Sequence, residues 1–398
     1  MLRYLTAGES HGPGLTAILD GMPAGLDVSL DELRSELARR RWCHGRGARA
    51  NIENDEVKIT GGVYKGKTTG GPVSVFIPNR DHENWAGKDR PITTPRPGHA
   101  DLPGAVKYGF LDCRPVAERA SARETAARVA CAYFAKKLLA YYGIRVVSWV
   151  VSIGDVEADL PPQAMRMKDV DLALDLARAA ESSPVRCPAP EAAARMMRAI
   201  DLAGEAGDSL GGIFEVSAVN VPPALGSGVH WDRRMDTRLA AAIMSINGVK
   251  GVEIGEGFGI ARLSGRHAHD EIVLDGRRQP TTGDNPQDCM PEDGSPTSVL
   301  SRLRRTSNMA GGIEGGMTNG EPVFIRAAAK PVPTLKSPLR SVDLVTGREC
   351  PAHVERADVC AVGSTAVIGE AMTALVIADA LLERLGGDKV RPQSWVEW

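Results

Sequence analysis

The spacing of apolar residues along the chain predicts alternating strands and helices. Strands are expected in four short stretches rich in aliphatic and β-branched residues, at Leu15–Leu19, Val57–Thr60, Val73–Ile77 and Arg145–Ile153. Capping boxes and helical periodicity predict helices from Ser29 to Arg41, from Ser121 to Gly143, and over residues 169–180, 191–203 and 233–246. Ser364–Leu385 is apolar on nearly every face, which predicts a buried helix closed by Gly386 and Gly387.

Two polar segments interrupt this pattern. Residues 79–105 are rich in proline and poor in aliphatic side chains, which predicts a long ordered loop or lid. Residues 275–305 are rich in Pro, Gly and Asp, so we expect a surface insertion without a core of its own.

A glycine-rich stretch occurs twice, 250 residues apart. Residues 61–73 and 311–323 are identical at seven of thirteen positions, and each copy leads into a stretch that reads as a strand. Glycine-rich turns resemble one another, so chance is one explanation. The alternative is a duplicated unit with internal pseudo-twofold symmetry, which predicts two halves that share one core.

Composition narrows the class of protein. Of the 398 residues 43% are hydrophobic, enough for a large core, and 43 glycines with 26 prolines indicate many loops. The 48 basic and 50 acidic residues leave a net charge of −2, so the chain has no overall attraction for nucleic acid. Seven cysteines without a CxxC pair favour reduced thiols in the cytoplasm. We expect neither a signal peptide nor an apolar run near the ~20 residues of a membrane span.

Three histidine motifs are candidates for chemistry, and each has an ordinary structural alternative. His11 lies in a glycine-rich turn that permits close approach of a ligand, although an exposed or structural histidine also fits such a turn. His99 has Asp101 two residues away, able to orient or charge the ring, or it is a hydrogen-bonded loop histidine. Residues 267–270 (His-Ala-His-Asp) resemble part of a zinc site, but no further ligand follows at suitable spacing, so we expect no metal.

Basic side chains are clustered although the net charge is small. Five of them fall within eleven residues, at Arg39, Arg40, Arg41, Arg46 and Arg49. Arg119 and Arg123 flank the predicted start of a helix, where free N–H groups favour anions, and Lys330 adds a cation further along the chain. Guanidinium groups match phosphates and carboxylates, so a small polyanion is favoured, with a solvated helix end as the ordinary alternative. Neither a GxGxxG fingerprint nor a Walker A motif accompanies them.

Seven motifs, in order along the chain, resemble those of the chorismate synthase family. They are Gly8–Gly12 running on to Asp20–Pro23, Arg96–Asp101, Arg119–Thr125, Ser245–Gly255, Asn308–Gly316, Lys330–Thr334 and Arg356–Cys360. Because they extend from residue 8 to residue 360, the resemblance covers nearly the whole chain.

The resemblance implies a reaction, a cofactor and a fold. Members of this family convert 5-enolpyruvylshikimate 3-phosphate to chorismate by 1,4-anti elimination of phosphate. The reaction requires reduced FMN but involves no net oxidation or reduction. NADPH would therefore serve only to reduce the flavin. The implied architecture is α+β, with one domain over residues 1–398, long helices between antiparallel sheets, and assembly as a homotetramer without nucleic acid or membrane partners.

The resemblance also implies site residues. His11 would be the general acid for the departing phosphate, His99 would lie near N1 of the flavin with Asp101 tuning it, and Asp358 would assist the N5 region in accepting the C6 proton. The substrate would be bound by Ser10, Arg40, Arg46 and Arg123. FMN would be held by Arg119, Ala120, Ser121, Asn247, Gly248, Gly315, Lys330, Pro331, Val332, Pro333, Thr334 and Arg356.

Two other functions stay open on the sequence. An FMN-dependent reductase would use the cofactor for redox turnover, but it needs a nicotinamide site that no motif indicates. An anion-binding or nucleic-acid-binding module could use the arginine cluster without catalysis, although interleaved aromatic residues are missing. The binding module predicts no capture of FMN.

Overall fold

The computed structural model describes residues 1–47, 53, 55–274 and 303–386. Its α-helices are α1 (Leu30–Arg41), α2 (Asp101–Tyr108), α3 (Arg114–Arg119), α4 (Thr125–Tyr141), α5 (Gln163–Lys168), α6 (Val170–Glu181), α7 (Pro190–Glu205), α8 (Met235–Met244), α9 (Gly265–Ala268) and α10 (Val362–Leu385). Short 3-10 turns cover Arg80–Asn84, Ala122–Glu124, Trp231–Arg233 and Gly257–Arg262.

The strands form two larger sheets and several two-stranded ribbons. They are β1 (Arg3–Ala7), β2 (Gly14–Asp20), β3 (Lys58–Gly61), β4 (Val63–Tyr64), β5 (Lys67–Thr68), β6 (Val73–Pro78), β7 (Arg145–Ile153), β8 (Val156–Glu157), β9 (Gly212–Val219), β10 (Val249–Ile254), β11 (Ile272–Leu274), β12 (Leu303–Arg305), β13 (Ile313–Glu314), β14 (Met317–Thr318), β15 (Val323–Ala329), β16 (Arg340–Val342) and β17 (Glu349–Pro351). The first sheet has the order β1-β2-β6-β3 and the second has the order β10-β15-β9-β7-β8; every pairing in both is antiparallel.

Two long helices lie between these sheets. Helix α4 packs against β2 and β6 of the first sheet, α10 packs against β7 and β9 of the second, and the two helices pack against each other. One apolar cluster joins both sheets and the two helices between them. It includes Leu15, Val75, Phe134, Phe214 and Leu375. Mixed helix and antiparallel sheet of this kind is an α+β fold, as predicted.

Helix α10 is the central element of the core. Twenty of its 24 residues are buried, which confirms the prediction of a buried helix, and Gly386 ends it in the left-handed conformation. Within the described part of the chain it is the one helix with the length and apolarity of a membrane span, a feature that the sequence analysis did not anticipate. However, 89% of its most apolar window is buried inside the protein, as in a core helix.

A charged network is buried beside α10. Glu370 is 1% exposed and accepts hydrogen bonds from both terminal nitrogens of Arg39 (2.8 and 2.9 Å), from Lys136 (2.7 Å) and from Ser148 (2.7 Å). Burial alone would raise the pKa of Glu370, but Arg39, Lys136 and Arg186 together hold it well below its usual range. Arg39 is therefore held by this half-buried network and is not among the residues that line the cavity described below.

The predicted helices and strands are confirmed, with differences in two places. Ser121 caps a 3-10 turn, and α4 begins only at Thr125. The loop predicted over residues 79–105 is wrong in part, because the 3-10 turn 80–84 and the start of α2 fall inside it. Pro103 is tolerated in α2 because it lies in the first turn, where a backbone N–H has no helical partner. The predicted insertion at 275–305 lies mostly outside the described residues.

The repeated glycine-rich segments adopt the same local structure. Each forms a two-residue ribbon, β4–β5 or β13–β14, and then enters a central strand, β6 or β15. Gly62 and Gly312 have φ of +81° and +78°, and a Cβ on either would lie 2.5 Å from the carbonyl oxygen of Pro72 or Pro322. Glycine is needed at both positions for the same steric reason.

A threonine in each copy makes the same hydrogen bond. The Thr68 hydroxyl donates to the Pro23 carbonyl at 2.6 Å, and the Thr318 hydroxyl donates to the Pro222 carbonyl at 2.7 Å. The strand orders correspond as well, since β1-β2-β6-β3 matches β7-β9-β15-β10.

Candidate active site

A cavity of about 780 Å³ opens where loops from both halves of the chain meet. This volume lies in the range of small-molecule sites. Nine cationic side chains line the cavity, against four carboxylates: Arg40, Arg41, Arg46, Arg90, Arg96, Arg114, Arg123, Lys330 and Arg356, with Glu53, Glu118, Glu355 and Asp358. The local excess of positive charge contrasts with the net charge of −2 of the whole chain and suits an anionic ligand.

Most of the predicted site residues line this one cavity. They are Ser10, His11, Arg40, Arg46, His99, Ala120, Ser121, Arg123, Asn247, Gly248, Lys330, Pro331, Val332, Pro333, Thr334, Arg356 and Asp358. Arg119 and Gly315 are not in the cavity wall. Arg119 donates to the carbonyl and hydroxyl of Thr6, and Gly315 lies in the β13–β14 turn with its carbonyl beside Gly228.

His11 lies in the loop between β1 and β2 and is held by Glu118 of α3. Glu118 accepts a hydrogen bond from the backbone N–H of His11 (2.6 Å), and its Oε1 lies 2.8 Å from Nδ1 of the ring. Burial alone would raise the pKa of Glu118, but the bonds from His11 lower it, so the carboxylate is ionised and Nδ1 must donate. Nε2 is therefore the ring nitrogen through which a proton would pass to a ligand.

An aromatic side chain covers the face of the same ring. Trp85 stacks on His11 with 3.9 Å between ring centroids and an interplanar angle of 28°. The guanidinium groups of Arg90 and Arg114 lie 4.2 and 5.0 Å from the Trp85 centroid, within cation–π distance.

Two buried arginines form the floor of the cavity. Arg40, at the end of α1, is 4% exposed and contacts Asp55 (3.4 Å) and Thr125 (3.3 Å). Arg123 donates to Asn79 at 2.9 Å, and it also donates to Asp55. Burial lowers the pKa of Arg40 to about 10, with neighbouring arginines adding to the effect and Asp55 opposing it.

Two buried guanidinium nitrogens near the cavity floor have no acceptor among the residues that the structure describes. Among the described residues, Nε of Arg40 and Nε of Arg46 are buried without a hydrogen-bond partner. A buried guanidinium N–H without an acceptor is costly, so these atoms indicate where an anionic ligand would bind.

Asp358 lies in the loop that leads into α10 and is paired with the loop after α1. Its two oxygens accept hydrogen bonds from Arg46 Nη1 (2.5 Å) and from the backbone N–H of Gly47 (2.7 Å). This pairing fixes the carboxylate at the cavity wall and leaves it one quarter exposed.

His99 is held by a carboxylate on the opposite wall. Nδ1 of His99 donates to Asp101 Oδ1 at 2.5 Å, and Arg96 donates to the same carboxylate through its backbone N–H, Nε and Nη2. Although burial would raise the pKa of Asp101, the hydrogen bonds from His99 and Arg96 hold it well below its usual range. The predicted interaction between the His99 ring and the Asp101 carboxylate is thus confirmed.

Backbone groups and small residues form the remaining wall. Asn247 donates from its amide to the carbonyl of Ala120 at 2.9 Å, which joins the loop before β10 to the loop before α4. Lys330 donates from Nζ to the carbonyl of Gly98, and burial lowers its pKa, with Lys250 adding to the shift. These contacts place backbone groups of the cavity wall beside the Lys330 ammonium group.

Several lining residues were missed by sequence reasoning. Trp85, Arg90, Arg114, Glu118 and Glu355 lie outside the family motifs quoted above, and no spacing rule connects them to their partners. Glu118 is 107 residues from His11 in the chain, so only the fold brings them together.

The His267–Asp270 segment has a structural role. Asp270 accepts hydrogen bonds from Ser307 (2.6 Å), Met309 N (2.7 Å) and Ala310 N (3.0 Å), and the His267 ring lies 2.9 Å from the Ser264 hydroxyl. Within the ranges that the structure covers, no group of three or more potential ligand side chains is arranged for a metal.

Comparison with known proteins gives a consistent result. The family model described as chorismate synthase matches residues 2–382. Chorismate synthases from Desulforudis audaxviator (strain MP104C) and Aquifex aeolicus (strain VF5) are 50% and 49% identical to the chain, over 98% and 97% of it and 95% and 94% of their own lengths.

A solved structure agrees with the sequence relatives. A crystal structure of chorismate synthase has a TM-score of 0.76 and 42% sequence identity, and the alignment covers 98% of this chain and 94% of that one. The likeness therefore extends over fold and sequence together. The chain belongs to the chorismate synthase family.

Proposed function

We propose that this chain is a carbon–oxygen lyase that eliminates phosphate from 5-enolpyruvylshikimate 3-phosphate to give chorismate, with reduced FMN as cofactor. The observation that carries the proposal is the cavity, which is lined by His11, His99 and Asp358 together with nine cationic side chains. The substrate has a phosphate and two carboxylates, and FMN has a further phosphate. Such ligands need the local positive charge that the cavity provides.

Substrate binding is assigned to the floor of the cavity. Arg40 and Arg46 each have a buried Nε without an acceptor in the described part of the chain, and Arg123 and Ser10 lie beside them in the wall. Guanidinium groups there would bind the substrate anions and stabilise the negative charge on the departing phosphate.

Proton delivery to the phosphate is assigned to His11. Glu118 accepts from Nδ1, so the proton would move from Nε2 to the leaving-group oxygen. Ser10 Oγ contacts Ser121 Oγ at 3.0 Å, which positions the loop that carries His11 against the start of α4.

The residues present fit a reduced flavin with a phosphate tail. Asn247, Gly248, Ala120 and Ser121 would face the ring system, and Lys330–Thr334 and Arg356 would contact its polar groups. When bound, reduced FMN would supply electron density to the reacting substrate and a basic position near C6. His99, fixed by Asp101, would hold a hydrogen bond to the ring edge, and Asp358 would assist the N5 region in accepting the C6 proton.

Arg119 and Gly315 are assigned to FMN on the family motifs alone. Neither residue lines the cavity of a single chain, so a role for them requires another contact. A homotetramer, as the resemblance implies, would offer one. Large apolar side chains exposed on and after α2, namely Leu102, Val106, Tyr108, Phe110 and Leu111, support a further protein contact.

We also propose a single domain with internal pseudo-twofold symmetry. The matching strand orders, the paired Thr68 and Thr318 hydrogen bonds and the apolar cluster shared by both sheets support it. A cytoplasmic location is proposed with it, in keeping with free thiols at the six described cysteines.

The activity is tested with purified protein and synthetic substrate. Under anaerobic conditions with dithionite-reduced FMN, we expect chorismate and phosphate in equal amounts. A parallel aerobic assay with NADPH and FMN tells whether the protein reduces its own flavin. Absence of both products in the anaerobic assay would refute the proposal, and NADPH oxidation without chorismate would favour a reductase.

A further inference from the structure

The side chain of His11 is restrained from two sides by Glu118 and Trp85, which lie outside the family motifs quoted above. Glu118 binds its Nδ1 and its backbone N–H, and Trp85 stacks on its ring face at 3.9 Å. The exposed fraction of the His11 side chain is only 15%, and that of Glu118 is 11%. The ring therefore has one hydrogen-bonded edge and one covered face.

Each restraint is itself held in place. Glu118 Oε1 accepts from Arg114 Nη1 at 3.3 Å, four residues away on α3, and Arg114 Nη1 also forms an ion pair with Glu355 Oε1 at 2.6 Å. Burial would raise the pKa of Glu355, but His353 and Arg114 lower it to about 2, so this second carboxylate is ionised. Arg114 is thus fixed between two carboxylates and cannot easily leave Glu118.

Trp85 is anchored through its indole nitrogen. Nε1 donates to Asp81 Oδ2 at 3.3 Å, and that oxygen also accepts from Arg356 Nη2 at 2.9 Å. Arg90 and Arg114 lie over the indole at 4.2 and 5.0 Å. Through Asp81, the indole that stacks on His11 is therefore fixed to the 3-10 turn 80–84 and to the loop before α10.

We propose that Glu118 and Trp85 are positioning residues for His11. Glu118 keeps the hydrogen on Nδ1, so that Nε2 is the atom that exchanges a proton with the ligand, and Trp85 fixes the plane of the ring. The inference rests on the proposed function, because it assigns the orientation of the group that would protonate the phosphate. An ionised partner behind a histidine commonly fixes its tautomer and orientation in this way.

Several charged groups face His11 and enter any pH dependence. They are Glu118 and Arg114 from α3, Asp81 and His82 from the 3-10 turn, Arg90 beyond Trp85, and Arg356 through Asp81. Glu118 is the nearest carboxylate at 2.8 Å, whereas Asp81 lies 4.0 Å from Nε2. Removal of the Glu118 charge should therefore have the largest effect on the protonated ring.

The first test measures turnover in Glu118 variants. We expect Glu118→Gln to lower kcat by about 10- to 100-fold with a small change in KM, the range of a disturbed acid–base group. The alkaline limb of the pH–rate profile should move to lower pH, because the protonated ring loses its counter-charge. Glu118→Asp should recover part of the rate. The matched control is Asp175→Asn on α6, an exposed carboxylate paired with Arg178.

The second test needs neither substrate nor cofactor. A protonated imidazole in contact with an indole quenches its fluorescence, so the tryptophan emission of the apoprotein should titrate with His11. The titration should disappear in Trp85→Phe and in His11→Asn, and its midpoint should move to lower pH in Glu118→Gln. Trp231→Phe is the control, because Trp231 is 68% exposed and lies outside the cavity wall.

The outcomes separate the two proposals. Unchanged kcat, pH profile and fluorescence titration in Glu118→Gln would overturn the positioning role while leaving the proposed function intact. If the wild type forms no chorismate, the proposed function fails, and the fluorescence titration still decides whether Glu118 and Trp85 hold His11. A loss of thermal stability in Glu118→Gln without any change in the pH profile would indicate a structural role and would also overturn the inference.

Discussion

At the scale of single residues, the candidate catalytic side chains in the cavity are each held by a hydrogen-bonding partner. His11, His99 and Asp358 each have a charged or backbone partner within 2.8 Å that fixes their orientation. Such fixed geometry favours proton transfer, because a catalytic group contributes only when it is correctly placed before the reaction.

Loss of any of these three groups should slow turnover. We expect His11→Ala, His99→Ala and Asp358→Ala each to lower kcat at least about tenfold, because each removes a group to which we assign the holding or transfer of a proton. The measurement is chorismate formation with reduced FMN under anaerobic conditions. Normal rates in all three variants would show that the catalytic assignment is wrong.

Arg40 should control substrate affinity. We expect Arg40→Gln to raise KM about 10- to 100-fold, since a hydrogen bond to a charged group contributes about 1.5–3 kcal/mol. Arg34→Gln is the control on the same helix, because Arg34 is half exposed and pairs with Asp31. Arg40→Lys, which keeps the charge next to Asp55, separates loss of binding from loss of folding. An unchanged KM in Arg40→Gln would exclude this residue from the binding site.

Sequence motifs predicted His11, His99 and Asp358 as reacting residues, and all three line the cavity, but the motifs did not predict the partners that orient them. Asp101 was predicted beside His99 because the two are neighbours in one loop. Glu118 and Trp85 could not be predicted, because their contacts with His11 arise from the packing of α3 and the 3-10 turn 80–84 against the β1–β2 loop. The sequence grouped Arg39 with the candidate ligand-binding arginines. Because successive residues of a helix point in different directions, Arg39 contacts Glu370 whereas Arg40 lines the cavity.

At the scale of elements, α1, α4 and α10 are joined by the charged network around Glu370. Arg39 belongs to α1, Lys136 to α4 and Glu370 to α10, and all three side chains are less than one quarter exposed. Because Arg40 follows Arg39 on α1, the network also fixes the helix end that carries the cavity floor.

Glu370→Gln should destabilise the fold in a pH-dependent way. Removal of one member of a buried ionic group costs about 3–5 kcal/mol, because the other charges lose their partner. The folded-state pKa of Glu370 is depressed below its ordinary value of 4.5, so its contribution is present above about pH 4.5 and is lost as the pH falls through the folded value.

The measurement is urea unfolding at several pH values. Wild-type stability should decline on acidification below about pH 4.5, and Glu370→Gln should be less stable at neutral pH with a shallower decline. Glu383→Gln is the control on the same helix, because Glu383 is 46% exposed and pairs with Arg238 at the surface. Equal stability of wild type and Glu370→Gln at pH 7 would contradict the prediction.

Elements with strong periodicity could be predicted from sequence, and short or irregular ones could not. The limits of β7 match the predicted stretch, since β-branched residues dominate it. The 3-10 turn 80–84 and α2 escaped prediction because each is too short to show a period, and Pro103 suggested a loop. The antiparallel order of the two sheets depends on contacts between distant strands and has no local signal.

At the scale of the whole molecule, a nearly neutral chain surrounds a cationic cavity. Nine cations and four carboxylates face the cavity, while the chain carries −2 overall. The compensating negative charge must therefore lie elsewhere on the protein. Long-range attraction of an anionic substrate should then be confined to the cavity mouth.

Salt should weaken substrate binding more than catalysis. We expect KM to rise about threefold or more between about 0.1 and about 1 M KCl, where the Debye length falls from about 10 to about 3 Å. The value of kcat should change little, because the bound substrate is sheltered from ions. Steady-state kinetics at fixed pH provide the measurement, with equal osmolarity of sucrose as control. A KM that is independent of salt would refute electrostatic recruitment.

The two halves of the chain meet at the cavity, and this has a consequence during synthesis. Lining residues extend from Ser10, near the N-terminus, to Thr365, in the first turn of α10. A nascent chain therefore contains His11 long before it contains Asp358 and α10, and we expect the cavity to form only after all three have been synthesised. We therefore expect a translation product that ends before Asp358 to lack a complete cavity and to form no chorismate.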